Sequence, residues 1–141
     1  MKGNKMKLTE LIGKSWRREF VIILIMNDKK VVEEYIIIGD DSTDSHRDTV
    51  KQFTPDDRDI NTIFTEGGGY ININKDHTVT LEEFSGMYGP ADKERTERLV
   101  QKIAENEGLE VKIFFDAEFG KMDNNRTKVK QKAVGHLFYR Y

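Results

Sequence analysis

Cysteine is absent from the 141-residue chain, and with it go disulfide frameworks, thiolate metal sites and cysteine nucleophiles, cysteine-based phosphatase chemistry included. The same absence suits a reducing cytoplasm, the compartment expected from sequence. Long apolar runs are missing too. Phe20 to Met26 is seven apolar residues, preceded by the basic Lys14-Ser15-Trp16-Arg17-Arg18. A membrane-spanning helix needs roughly 20, and no small-residue cleavage site follows the run. It reads as a buried strand, and no membrane partner is expected. Nor does one charge predominate: 23 Lys and Arg face 25 Asp and Glu, a formal −2. The bulk field gives no ground for a nucleic-acid partner, so any anion site has to be built locally. No serine stands in a Gly-x-Ser-x-Gly elbow. Walker and dinucleotide loops are also missing, because Gly67-Gly68-Gly69 lacks the spacing for either.

What remains reads as one domain over residues 1–141, long enough for a real core. Residues 1–15 are lysine-rich with a weak apolar pattern at Met6, Leu8, Leu11 and Ile12, a short helix or an arm. Phe20–Met26 has the unbroken β-branched apolarity of a central strand, and Asn27-Asp28-Lys29-Lys30 turns it into a partner over Val31–Ile38. Gly39 ends that strand. The polar Asp40–Ser45 then predicts a helix over about residues 44–53, with a thin apolar face at Val50 and Phe53. Thr54-Pro55 breaks it. A short strand is expected at Ile60–Phe64, an interruption at the three glycines, and a hairpin from Tyr70–Ile73 to Thr78–Phe84. Pro90 suits a helix start. Thr96, Leu99, Val100, Ile103 and Ala104 make its buried stripe up to Gly108, followed by a crossover into a strand over Leu109–Phe115. Ala133–Tyr141 alternates as a last strand. These elements imply an α/β fold with a single mixed β-sheet.

Few residues are suited to chemistry. His77 falls in a turn and His136 on the last strand, and both read as ordinary packed or exposed imidazoles. His46 lies in the first turn of a helix that follows a strand-ending glycine, with Asp44 and Asp48 nearby to orient it as a general base. A calcium loop starting at Asp40 fails, because its sixth and twelfth positions are Ser45 and Lys51. No metal or organic cofactor is expected. Ser85-Gly86-Met87-Tyr88-Gly89-Pro90-Ala91 sets a hydroxyl and two glycines at a predicted helix entrance, where N–H groups and the helix dipole favour an anion. The same stretch also serves as a turn that simply starts a helix. Gly67-Gly68-Gly69 is either a bulge or a place where bare backbone approaches a ligand.

Taken in order, Ile38-Gly39, His46 and Asp48, the three glycines and Ser85-x-x-Tyr88-Gly89-x-Ala91 resemble the Janus/Ocnus family of protein histidine phosphatases over roughly residues 16–120. The resemblance implies a mixed sheet with helices packed on both faces, and residues 121–141 as an added loop and strand. It implies His46 as the base that activates water, and Ser85 with the N–H groups of Gly86 and Met87 as the phosphoryl loop. A first-strand lysine of the family falls at Arg18 or Glu19, according to the register. Asp48, Gly67, Gly68, Gly69, Tyr70 and Tyr88 support the site. Ile38 and Tyr70 stand where the family carries arginine, so compensating charge has to come from Arg17, Arg18, Arg47, Lys51 or the basic run Arg126, Lys128, Lys130 and Lys132. The expected activity is hydrolysis of phosphohistidine or a related phosphoramidate. The expected partner is a phosphorylated protein or a small phosphoramidate. A non-catalytic module that binds a phospho-ligand or a protein is the alternative.

Overall fold

The structure, a computed structural model, describes residues 7–14, 16–40, 45–53 and 63–121. Strands β1 (Arg18–Asn27), β2 (Lys30–Ile38), β3 (Ile63–Ile73), β4 (Thr78–Glu82) and β5 (Lys112–Phe115) form one sheet in the order β2-β1-β3-β4-β5. Helix α1 (His46–Lys51) follows β2, and α2 (Lys93–Asn106) crosses from β4 to β5. The first three pairings are antiparallel. The last is parallel, as a helical crossover requires. A short 3-10 turn at Leu8–Leu11 seats the amino-terminal segment. Among the described residues no helix is long and apolar enough to cross a membrane.

Three expectations need correction. The glycines do not interrupt a strand: β3 runs through them from Ile63, with a register shift opposite Ile22 and Ile23. A strand without Cβ atoms still keeps its ladder, and here it has to, because other backbone packs onto it. Second, α2 does not begin at Pro90. Its N-cap is Asp92, whose carboxylate accepts from the Arg95 N–H, while Pro90 bridges to Gly68. Asp92 wins because it can cap a helix and Pro90 cannot. Third, β4 stops at Glu82, and β5 starts only at Lys112. The strands expected at Ala133–Tyr141 and at residues 60–62 lie outside the described residues, as does the basic run beginning at Arg126.

The core divides along β1. Phe20, Ile22 and Leu24 join a large cluster with Ile36, Ile38, Ile71, Ile73, Leu81, Leu99, Val100 and Ala104. Val21, Ile23 and Ile25 join a smaller one with Ile37, Val50, Phe53, Ile63 and Tyr88. Successive side chains of a strand point to opposite faces, which explains why β1 is apolar without a break from Phe20 to Met26. Each such side chain contributes about 1.5–3 kcal/mol on full burial. Polar contacts fix α2 above the sheet. Arg95 Nε meets Glu34 of β2 at 2.5 Å, another nitrogen of the same guanidinium meets Glu66 of β3, and Arg98 adds a second bond to Glu34 at 2.6 Å. One helix thus ties together two strands that flank β1. Arg98 and Arg95 hold the Glu34 carboxyl down to about 2, against the cost of its partial burial.

The loop after β4 is joined to β3 by backbone hydrogen bonds. Gly68 N–H donates to Gly89 O at 3.1 Å, Ser85 N–H to Gly68 O at 3.0 Å and Gly89 N–H to Ser85 O at 2.9 Å. Gly89 adopts φ 84°, a left-handed conformation that a side chain would strain. A Cβ on Gly67 would stand 2.1 Å from Pro90 O, and one on Gly68 would stand 2.4 Å from Phe20 O. The glycines are therefore the seat of the loop.

Two outcomes follow. Gly67→Ala is expected to cost about 2–3 kcal/mol through forced backbone movement, whereas Gly86→Ala, whose Cβ would meet nothing within 4 Å, costs under about 1 kcal/mol; urea unfolding midpoints compare them. Because the Glu34 carboxyl is lowered in the folded state, its stabilisation is full above the ordinary value of 4.5 and is lost as pH falls toward about 2. Glu34→Gln should flatten the acid limb of the stability profile in that window.

Candidate functional site

Ser45 is the N-cap of α1. Its hydroxyl accepts from the Asp48 N–H at 3.1 Å, which makes His46 the first helical residue and turns its side chain toward β3. There the ring is almost fully buried, at 7% exposure. Its Nε2 lies 2.8 Å from Gly69 O. A carbonyl only accepts, so Nε2 carries the proton and the neutral ring presents Nδ1 as its basic atom. Among the described residues, Nδ1 has no hydrogen-bond partner. The Tyr70 ring meets the imidazole edge-on, centroids 5.0 Å apart. Burial pushes the histidine below its ordinary value of 6.5, as does Arg17, while the Gly69 carbonyl and Glu19 act in the opposite sense. The result is an imidazole that is neutral at neutral pH.

Ser85 reaches the same place from the other side of the glycine strand. A Cβ on Gly68 would lie 3.1 Å from His46 Cδ2 and 3.3 Å from Ser85 Cβ, so the two side chains converge over that one residue. Ser85 is fully buried. Its Oγ accepts from the N–H of Met87 at 3.2 Å and of Tyr88 at 2.9 Å, which folds the loop around its own hydroxyl. Gly86 is exposed and Met87 is 40% exposed. Tyr88 is buried against Val21, Ile23 and Val50 and pins the loop to the sheet. The expected helix-dipole contribution is absent, because α2 begins beyond the loop.

The remaining candidates separate by strand register. Glu19 pairs with Tyr70 and Arg18 with Ile71, so Glu19 shares the face of the His46–Tyr70 contact, whereas Arg18 shares that of the large cluster. Arg18 Nη1 lies 3.4 Å from Asp40 O, and its guanidinium stands 5.3 Å from the Trp16 ring. Arg17 is the cation that reaches the site. Its guanidinium lies 3.9 Å over the Tyr70 ring and bonds Glu82 at 2.9 Å and Glu83 at 2.5 Å. Asp48 supplies its backbone N–H to the helix cap, and the ring is oriented by Gly69 O. Ile38 is fully buried in the large cluster. Among the described residues no group of three or more His, Cys, Asp or Glu is placed to hold a metal. Asp41 and Asp44 lie outside them.

Neither the Gly69 carbonyl nor the Glu82–Glu83 pair was singled out from sequence. Backbone acceptors leave no trace in a sequence. The glutamates become relevant only once the register puts Glu82 opposite Tyr70. His46 yields a pH signature with a definite sign. Below 6.5 the unfolded chain takes up its proton while the folded ring resists, so stability falls as pH drops through that value. The slope is at most about 1.4 kcal/mol per pH unit. His46→Gln should remove this component, seen as a converging difference between the two proteins' unfolding midpoints from about pH 7.5 to about pH 5.

The order of these parts along the chain, a strand-ending glycine, the histidine, the glycine strand and the serine loop, now has a spatial meaning: they build one cluster. Compared with curated proteins one at a time, the chain has no match. Compared with protein families, residues 10–108 match the Janus/Ocnus family (Ocnus). That span holds Arg17, His46, the three glycines and Ser85, and covers most of the sequence. The chain belongs to the Janus/Ocnus family.

Proposed function

We propose that the protein is a phosphatase-like hydrolase that cleaves phosphohistidine or a related phosphoramidate by attack of a His46-activated water. The observation that carries this is the meeting of the neutral His46 ring and the Ser85 loop over Gly68. Nδ1 takes a proton from water as the water oxygen attacks phosphorus. The P–N bond breaks, and the proton passes to the departing nitrogen, which leaves inorganic phosphate and the free amine or imidazole. Ser85 keeps the loop in shape for the phosphoryl oxygens, with Gly86 and Met87 on its exposed side, while Arg18, on the opposite face of β1, takes no part. No cofactor enters. The division of β1 side chains between a cluster with Val50 of α1 and one with Leu99 of α2 supports helices packed on both faces of the sheet, as in the architecture the family resemblance implies.

One observation favours a second reading, a module that binds a phospho-ligand without turning it over: Ile38, fully buried, and Tyr70 stand where the resemblance places arginines, which leaves less charge to stabilise a transferring phosphoryl group.

Release of inorganic phosphate from a phosphoramidate separates the two. Hydrolysis predicts a loss of about 100-fold or more in His46→Gln and a smaller one, about tenfold, in Ser85→Ala, with both variants checked for folding by circular dichroism. Wild-type protein that releases nothing, or a histidine variant as active as wild type, would sink the hydrolytic reading. Anion binding that depends on Ser85 and salt but not on His46 would select the second.

A further inference from the structure

We propose that Arg17 is the anion-binding residue of the His46 site, and that a phosphoryl ligand gains it by displacing the carboxylates of Glu82 and Glu83. The proposal rests on the location of the site given above, but not on catalysis. Three observations converge on it.

First, Arg17 is part of the cluster: its guanidinium lies 3.9 Å over the Tyr70 ring, and that ring meets His46 with centroids 5.0 Å apart. Stacking on the tyrosine face holds the planar group in place while leaving its N–H edge available for bidentate contact. Second, Arg17 and Glu83 are open to water, their side chains 38% and 40% exposed. An exposed ion pair contributes little net stability, whereas a guanidinium–phosphate pair is charge-assisted and can be bidentate, so exchange toward a doubly charged phosphoryl group is favourable. Third, the competing carboxylate is presented by strained backbone. Glu83 adopts φ 55°, a left-handed conformation unusual for a residue with a side chain, two positions before Ser85. Its backbone is fixed by the Gly120 N–H donating to its carbonyl at 2.8 Å and by its own N–H pointing to Asp116 Oδ1 at 3.4 Å. Among the described residues its carboxylate is held by Arg17 alone. The backbone thus stays put when the carboxylate lets go.

The cation that the family pattern seats at position 70 is in this way replaced by one stacked on the tyrosine that stands there. The two glutamates act as a built-in competitor for it. Removing the cation and removing the competitor must therefore change affinity in opposite directions, which a purely structural role for the ion pair would not do.

The test is titration of the full chain, at low ionic strength, with inorganic phosphate and with phosphoramidate, by NMR or calorimetry. Arg17→Gln is expected to weaken both anions about tenfold, with Arg17→Lys retaining part of the affinity. Glu83→Gln is expected to tighten both several-fold, and the double variant Arg17→Gln/Glu83→Gln to bind as weakly as Arg17→Gln. The inference is overturned if Glu83→Gln binds no tighter than wild type, if Arg17→Gln binds as well as wild type, or if no protein in the set binds either anion. Opposite-signed changes in binding without phosphate release would leave it standing and remove the hydrolytic reading. Turnover without those changes would do the reverse.

Discussion

Backbone packed directly on backbone at Gly67–Gly69 is the constraint on which the rest of the site depends. Hydrogen bonds from Gly68 to the Ser85 loop, and the absence of any Cβ between them, let the loop settle onto the middle of β3. Because β3 lies beside β1, which is buried from Phe20 to Ile25, the loop rests on the centre of the sheet. Tyr88 secures it from one side by burial, and Ser85 holds it from within by accepting two loop N–H groups. A side chain at either of the first two glycines would separate the loop from the strand, and with it Ser85 from His46. Folding and site assembly are therefore the same event in this region.

Charge is organised differently on the two sides of the sheet. Above the large cluster, Arg95 and Arg98 bind Glu34 and Glu66 to fix a helix across three strands. Around Tyr70, Arg17 faces Glu82 and Glu83 at the water boundary. The chemical groups are the same, but the first set joins a helix to two strands, whereas in the second the Arg17–Glu83 pair has both partners well exposed, at 38% and 40%.

Much of this was legible in the sequence, and the parts that were not share a cause. The unbroken apolarity of Phe20–Met26 located β1, and the stripe Thr96, Leu99, Val100 and Ala104 located α2, because burial periodicity is a local property of the chain. The ordered spacing of His46, the glycines and the serine loop pointed to the family. Three glycines in a row looked like a break, since propensity says nothing of the partner that makes a bare strand useful. Pro90 looked like a helix start, when its position is set by the bridge to Gly68. The pairing of Arg17 with Tyr70 depends on the register between β1 and β3, a long-range fact that no window of sequence holds.

Helix α1 is six residues long, too short to persist by itself. What keeps it wound is its docking: Val50 buried among the residues of β1 and, at its first turn, an imidazole anchored to the carbonyl of Gly69. The same ring is the one that the proposed hydrolysis uses as its base. His46 is thus the rivet of its own helix, so the opening of one turn would carry the imidazole away from the Ser85 loop, and the place of the ring reports directly on whether that turn is closed.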